Sequence, residues 1–313
     1  MFKNLRKFIE EHDKIAIFSH IYPDGDAVGS IIGLRELIKT SYPHKEVFGL
    51  GSNVQPFVSI VGELDEVSDD FIKESAAIIV DVANGERVED QRFKLAKASF
   101  KIDHHIFVEK FTDEELVLTK RIATAEIIGE LMMKEKLRTN KLGATALALG
   151  IITDSGRFRY DLTSGNTFSV MARLTNIGAD LALINENLAK RSLADFKKRG
   201  HFLSNYETYE NVIYIIVPYL KLQELDILPS EGSNYVNTYS NLDYYPLWAT
   251  FFIEKDGRVF VELRSKNYNV QKVATLFGGG GHLKASGCRL ENEARIADVL
   301  QQLTKAEELK DEV

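Results

Sequence analysis

One cysteine, Cys288, stands in a chain of 313 residues, which leaves no partner for a disulfide within the chain and fits a reducing, cytoplasmic location. Positive charge is in deficit. The 39 Lys and Arg face 46 Asp and Glu, a formal net charge of −7, which argues against a protein that coats long nucleic acid with a broad basic face. The deficit does not exclude a small anionic substrate, because metal ions supply positive charge locally. No apolar run approaches the ~20 residues that cross a bilayer, so no membrane span is expected. The opening residues place Phe2, Leu5, Phe8 and Ile9 on one helical face and lack the apolar core and small-residue cleavage site of a signal peptide. Pro/Gly/Ser-rich linkers, internal repeats and low-complexity segments are also missing. What is left, 44% hydrophobic and 27% charged, is the composition of a soluble globular protein long enough for two domains.

From residue 15 to residue 120 short β-rich apolar runs alternate with helical stretches. Runs at 15–19, 46–49, 77–80, 99–102 and 116–118 read as strands, and Val28, Ile31, Ile32, Leu34, Leu37 and Ile38 recur at helical spacing between the first two. That alternation predicts an α/β fold, with a mostly parallel N-terminal sheet flanked by helices. A charged helical stretch over 179–206 then leads to a smaller C-terminal α/β domain with strands expected at 212–217, 249–254, 258–263 and 285–290. The expected division is 1–190, a helical linker 191–209, and 210–313, with a cleft between the two domains.

The stretch His20-Ile21-Tyr22-Pro23-Asp24-Gly25-Asp26 follows one apolar run and precedes a helical one. An imidazole and two carboxylates at the carboxyl end of a strand are metal-ligating groups where open α/β sheets place their sites. Alone, the stretch fits equally an ordinary turn in which Asp26 N-caps the helix. Three further apolar segments end in a similar way: one runs into Asp81, one into Asp103-His104-His105, and one into Thr153-Asp154-Ser155-Gly156. An acid at one segment end is routine. Acids at four, twice with histidine, point to one shared cation site.

Later in the chain Gly278, Gly279, Gly280 and Gly281 stand in a row, followed by His282 and preceded by Arg264-Ser265. A helix C-cap needs only one or two glycines. A longer run lets successive N–H groups converge on an anion, and that is the expected reading.

Together, His20-x3-Asp24-x-Asp26, Asp81, Asp103-His104-His105 and Asp154 resemble the four motifs of the DHH phosphoesterase superfamily, over roughly residues 1–190. The segment from Arg264-Ser265 through the glycines and His282 to Ala285-Ser286-Gly287 resembles the substrate domain that accompanies DHH domains in RecJ-like and nanoRNase/pAp-phosphatase (NrnA-type) proteins. Family II inorganic pyrophosphatases share the first set of motifs but lack the glycine element, and RecJ exonucleases carry further domains, including an OB-fold, that are not expected here. The resemblance thus implies the nanoRNase type, whose members cleave very short RNA, remove the 3′-phosphate of pAp, or open and trim cyclic dinucleotides. The expected partner is short RNA or a small nucleotide, such as pApA or c-di-AMP, with no long nucleic acid and no membrane; a homodimer is left open. A family II-like pyrophosphatase and a non-catalytic nucleotide-binding sensor are the alternatives.

The same resemblance implies two divalent cations per chain. His20, Asp24 and Asp81 would hold one, and Asp26, Asp81, His104 and Asp154 the other, with Asp81 as the bridge. A mixed imidazole and carboxylate shell suits Mn²⁺ better than Mg²⁺, with Co²⁺ a further choice, and such a pair acidifies a water that attacks phosphorus in line. Asp103 is expected to orient a ligating histidine, and His105 to face the substrate phosphate and protonate the leaving oxygen or stabilise developing charge. Arg264 is expected to clamp a phosphate, with Ser265, Gly278, Gly279, Gly280, Gly281 and His282 completing the grip. Other residues carry plainer expectations. His12, His44 and His201 read as surface or packing histidines, and Arg157 divides equally between a phosphate and an acid partner. Tyr235, Tyr239, Tyr244, Tyr245 and Trp248 read as sheet core ahead of base stacking, and Cys288 as buried.

Overall fold

Ile15, Ala16, Ile17 and Phe18 are all fully buried, as are Ala76 to Val80, and continuous apolar runs of this length suit strands covered on both faces. In a computed structural model, which describes residues 2–52, 54 and 57–309, they form the centre of a five-stranded sheet. Its strands are β1 (Lys14–Phe18), β2 (Glu46–Gly49), β3 (Ala76–Val80), β4 (Ala98–Asp103) and β5 (Glu114–Val117). They run in the order β2-β1-β3-β4-β5, every pair parallel. The chain leaves β1 for β2 on one side and returns to β3 on the other, so the order reverses between β1 and β3. Such a switch point opens a crevice at the carboxyl ends of the strands.

The helices Gly25–Ser41 and Lys141–Asp154 pack against each other almost backbone to backbone. A Cβ on Gly29 would lie 2.4 Å from the Ala146 carbonyl oxygen, and one on Gly33 would lie 2.4 Å from Leu147 Cδ2. Val28, Ile31, Ile32, Leu147 and Ile151 join the strands in one core. No helix among the described residues is long and apolar enough to cross a membrane.

The chain divides into compact units Met1–Lys190 and Arg191–Val313. Within the second, residues 191–209 comprise the helix Leu193–Ser204, whose Phe202 is fully buried among Ile213, Tyr235 and Trp248, and the strand β6 (Glu207–Tyr209). Strands β7 (Val212–Val217), β8 (Leu247–Ile253), β9 (Val259–Ser265), β10 (Gly280–His282) and β11 (Ala285–Leu290) complete a sheet of order β10-β11-β9-β8-β7-β6, antiparallel except for β7 and β8. Helices Val270–Leu276 and Ile296–Leu303 close one face. On the other, Tyr235, Tyr239 and Trp248 are core, with the Phe202 and Tyr235 rings stacked at 4.8 Å, while Tyr244 is 91% exposed. Cys288 is buried, which pushes its thiol up to about 11. Two strands were not expected, β6 and β10; both are three residues long and exposed throughout, with no buried position to mark them by an apolar pattern.

Candidate metal centre

Three strands of the first unit deliver polar groups to the switch point. His20 follows β1, Asp81 follows β3, Asp103 ends β4, and His104 and His105 follow it. Asp81 sits in the left-handed region at φ 59°, an uncommon conformation for a side chain other than glycine, with its N–H on the Ile102 carbonyl at 2.9 Å. Asp24, not Asp26, N-caps the Gly25–Ser41 helix, accepting from the N–H groups of Asp26 and Ala27. Asp26, two residues further on, already lies inside the helix. Its fully buried carboxylate instead turns inward and accepts from Thr124 N at 2.6 Å and Ala125 N at 2.9 Å. Asp154 is the last residue of its helix, where aligned peptide dipoles already concentrate negative potential, so a carboxylate there calls for a cation.

The ligating atoms fall into overlapping groups. His20 Nε2 lies 3.6 Å from Asp81 Oδ2 and 4.0 Å from Asp24 Oδ1. His104 Nε2 lies 3.3 Å from Asp154 Oδ2, 3.4 Å from Asp81 Oδ1 and 3.9 Å from Asp26 Oδ2. Asp81 therefore offers one oxygen to each group. Ligands ~2.1 Å from a shared cation sit roughly 3–3.4 Å apart, so this donor set needs only small adjustment to hold metal. The other ring nitrogens are taken by backbone: His20 Nδ1 by the Ile21 carbonyl at 2.9 Å, His104 Nδ1 by the Arg121 carbonyl at 3.2 Å. Those carbonyls favour the tautomer that leaves Nε2 as the ligating atom. Among the described residues, Asp81 also groups with His104 and His105.

The electrostatics are those of a site that lacks positive charge. Burial, with Asp81 and Asp154 close by, pushes Asp26 well above the usual carboxylate range, and burial raises Asp154. Burial also opposes charge on Asp81, yet hydrogen bonds from His104 and His20 win and hold it below its ordinary value. On His104 burial works against the proton, but Asp154, Asp81 and Asp26 outweigh it and lift the ring to about 11. His20 is raised in the same way, against burial, by Asp81. Protons on these rings stand where a cation would satisfy the same carboxylates.

Asp103 pairs with His105, not with His104. Its Oδ1 accepts from the His105 N–H at 3.2 Å and lies 2.8 Å from His105 Nδ1, which raises that ring. Its Oδ2 is buried with no hydrogen-bond partner among the described residues. Other residues of the site carried no sequence signal. Thr124 lends its N–H to Asp26 and its hydroxyl to Asp81 Oδ1 at 3.2 Å, Arg121 orients His104, and Gly150 packs against Asp26.

The sequence matches the model of the DHH family, N-terminal domain, over residues 14–151, and the DHHA1 domain over residues 211–308. It is 36% identical over 306 residues to a Mycoplasma pneumoniae protein named bifunctional oligoribonuclease and PAP phosphatase NrnA, covering 95% of this chain and 94% of that one. This chain belongs to the DHH family. A Bacillus subtilis protein of the same name is 31% identical over 97% of this DHH-family chain and 99% of its own. The solved structure of an exopolyphosphatase-related protein from Bacteroides fragilis shares its fold, with a TM-score of 0.80 at 23% identity over 97% of this chain and 95% of that one.

In the DHHA1 unit the glycine run divides by role. Gly278, at φ 73°, ends the Val270–Leu276 helix, with its N–H on the Thr275 carbonyl and that of Gly279 on the Ala274 carbonyl. A Cβ on Gly279 would lie 2.1 Å from the Gly287 carbonyl oxygen, and one on Gly281 would lie 2.7 Å from that of Ala285, because β10 presses on β11. Gly280 has neither constraint: open space surrounds its Cβ position and its φ is not left-handed. His282 is exposed. Arg264 Nη1 donates to Glu262 Oε2 at 2.7 Å and the Leu263 carbonyl at 2.9 Å, so one nitrogen of the fork is engaged within the unit. Ser265 turns inward, its hydroxyl on the Tyr268 carbonyl at 2.6 Å.

Proposed function

We propose that this protein is a di-metal phosphoesterase, with Mn²⁺ as its cation, that hydrolyses short oligoribonucleotides, removes the 3′-phosphate of pAp, and cleaves linear or cyclic dinucleotides such as pApA and c-di-AMP to mononucleotides. The observation that carries the reading is Asp81, a buried carboxylate with one oxygen toward His20 and the other toward His104. The names of the Mycoplasma pneumoniae and Bacillus subtilis relatives support the substrate class, and the mixed imidazole and carboxylate donors support Mn²⁺ over Mg²⁺. When bound, two divalent cations supply positive charge to phosphoryl oxygens and bring the pKa of a water toward neutrality.

The chain's own residues do the rest in this reading. His20, Asp24 and Asp81 hold one cation, and Asp26, Asp81, His104 and Asp154 the other. Asp103 engages His105 Nδ1, which leaves the remaining ring nitrogen of a half-exposed side chain to donate a proton to the leaving oxygen. Residues 210–313 bind substrate, with Gly280, His282 and the unengaged nitrogens of Arg264 as the contacts supported best. The test is mononucleotide and phosphate release from pApA, pAp, c-di-AMP and RNA of two to five nucleotides under Mn²⁺, with pyrophosphate as a control. Turnover of the nucleotides and its abolition by Asp81→Ala are expected; no hydrolysis of any of them under saturating Mn²⁺ overturns the proposal.

A further inference from the structure

We infer that Glu126, Glu130 and Asn166 form a positioning layer that acts on the cation site through residues 121–125, and that one cation position depends on this layer far more than the other. The inference rests on the two-cation reading above.

Glu126 and Glu130 are 0% and 2% exposed and lie one turn apart on the helix Thr124–Lys134, where like charges repel. Their neighbours on that helix, Ile127, Ile128 and Leu131, are core residues, so apolar side chains would fit the surroundings. Buried ion pairs are commonly no more stabilising than apolar replacements of similar volume, so stability alone gives no reason for two acids here. Their contacts give one. Asn166 Nδ2 donates to Glu126 Oε1 at 2.5 Å and to Glu130 Oε1 at 2.7 Å, bridging the two carboxylates. Glu130 is ion-paired to Arg121 and, at 3.0 Å, to Lys134, while Glu126 Oε2 accepts from Ile122 N at 3.1 Å. Both ends of the segment Arg121-Ile122 are thereby tied down from beneath.

That segment leads into the first turn of the helix Thr124–Lys134, and residues 121–125 together touch the candidate ligands. The Arg121 carbonyl meets His104 Nδ1, the Thr124 and Ala125 N–H groups hold Asp26, and the Thr124 hydroxyl meets Asp81. The contacts are unequal between the two groups of ligands. Asp26 and His104, from the Asp26–His104–Asp154 group, are both held by residues 121–125. In the His20–Asp24–Asp81 group only Asp81 meets them; His20 is held by the Ile21 carbonyl and Asp24 by the start of its own helix. Releasing these residues therefore loosens three of the four ligands of one position, the shared Asp81 among them, against Asp81 alone of the three at the other.

The experiment is a Mn²⁺ titration of the full chain, with free Mn²⁺ counted by electron paramagnetic resonance, for the natural sequence and for Asn166→Ala, Glu126→Ala and Glu126→Gln. Two ions are expected to bind to the natural chain. Loss of an outer partner typically weakens metal binding by about 10- to 100-fold, and Asn166→Ala and Glu126→Ala are expected to weaken one ion by that factor while the other, which shares only Asp81, weakens far less. Glu126→Gln, which keeps an acceptor of the same reach, is expected to recover part of the loss. Equal weakening of both ions, or none in a variant that melts like the natural chain, overturns the inference alone. Fewer than two ions bound by the natural chain overturns the two-cation reading and this inference with it. Asn166 is half-buried in the first turn of its helix and alanine is the best helix former, so this variant carries the test if Glu126→Ala does not fold.

Discussion

Gly150→Ala adds one methyl group where the Lys141–Asp154 helix meets the start of the Gly25–Ser41 helix. That carbon would lie 2.6 Å from Ala125 Cβ, 2.7 Å from Asp26 Oδ1 and 3.2 Å from Asp26 Cα. Carbon atoms rest about 3.5–4.0 Å apart, so the helices must part by roughly 1 Å or Asp26 must turn. Two energies oppose each other. Overpacking a core costs about 1–3 kcal/mol. Alanine in place of glycine inside a helix returns about 0.5–1 kcal/mol. The difference is a loss of about 0–2.5 kcal/mol, and for a unit of this size each kcal/mol moves the thermal midpoint by roughly 2–4 °C, so the fold survives. The site does not survive so well. Asp26 is clamped by N–H groups at 2.6 and 2.9 Å, and a displacement of about 1 Å in a reacting constellation costs on the order of 100-fold. Gly150→Ala is therefore expected to lower the midpoint by less than about 10 °C while Mn²⁺ affinity and pApA turnover fall by about 100-fold. Thermal unfolding, Mn²⁺ titration and steady-state product release measure the three. Natural turnover with natural Mn²⁺ affinity would refute the placement of Asp26 in the site, and an unfolded variant would refute the balance of energies.

The protons on the site set a direction for pH. His104, lifted from 6.5 to about 11, contributes stability that is complete below pH 6.5 and is lost as pH rises toward 11. Asp26 and Asp154, raised above 3.8, act in the same direction, because above that pH they ionise more readily unfolded than folded. Urea midpoints of the metal-free chain should fall between pH 6.5 and 11, and Mn²⁺ affinity should climb with release of protons; a rising midpoint across that window contradicts the assignment. Gly279→Ala should destabilise the second unit, since its Cβ meets the Gly287 carbonyl, whereas Gly280→Ala should leave the melting curve in place and raise KM for pApA. An unchanged KM removes Gly280 from the substrate contacts. Cys288, raised to about 11 by burial, should resist iodoacetamide at pH 8 in the native chain and react in urea.

Several features are legible in the sequence alone. An apolar run that ends in an acid or a histidine is a local pattern, and four of them in order, three strands and one helix, pointed to the shared site and the family, while strand–helix alternation pointed to the parallel sheet. Buried parallel strands must be continuously apolar and their sites lie at their carboxyl ends, so type and order of residues carry that information. The roles within each motif were less legible. Asp24 and Asp26 are equally plausible caps by residue type, and only the backbone showed that Asp24 caps while Asp26 faces the first amides of another helix, 98 and 99 residues away. Asp103 precedes two histidines, and rotation of the chain beyond β4 decided that it meets His105. The glycine run looked like one anion cradle, whereas its members serve as a helix stop, as close contacts with β11, and at Gly280 as open backbone. Glycine for a ligand and glycine for a neighbouring strand are identical in sequence. Glu126 and Glu130 left no trace at all, because acids one turn apart normally mark a solvated helix face. Periodicity and residue type act along the chain, and they determined the architecture. The partners of buried polar groups come from across the fold, and only tertiary structure decided them.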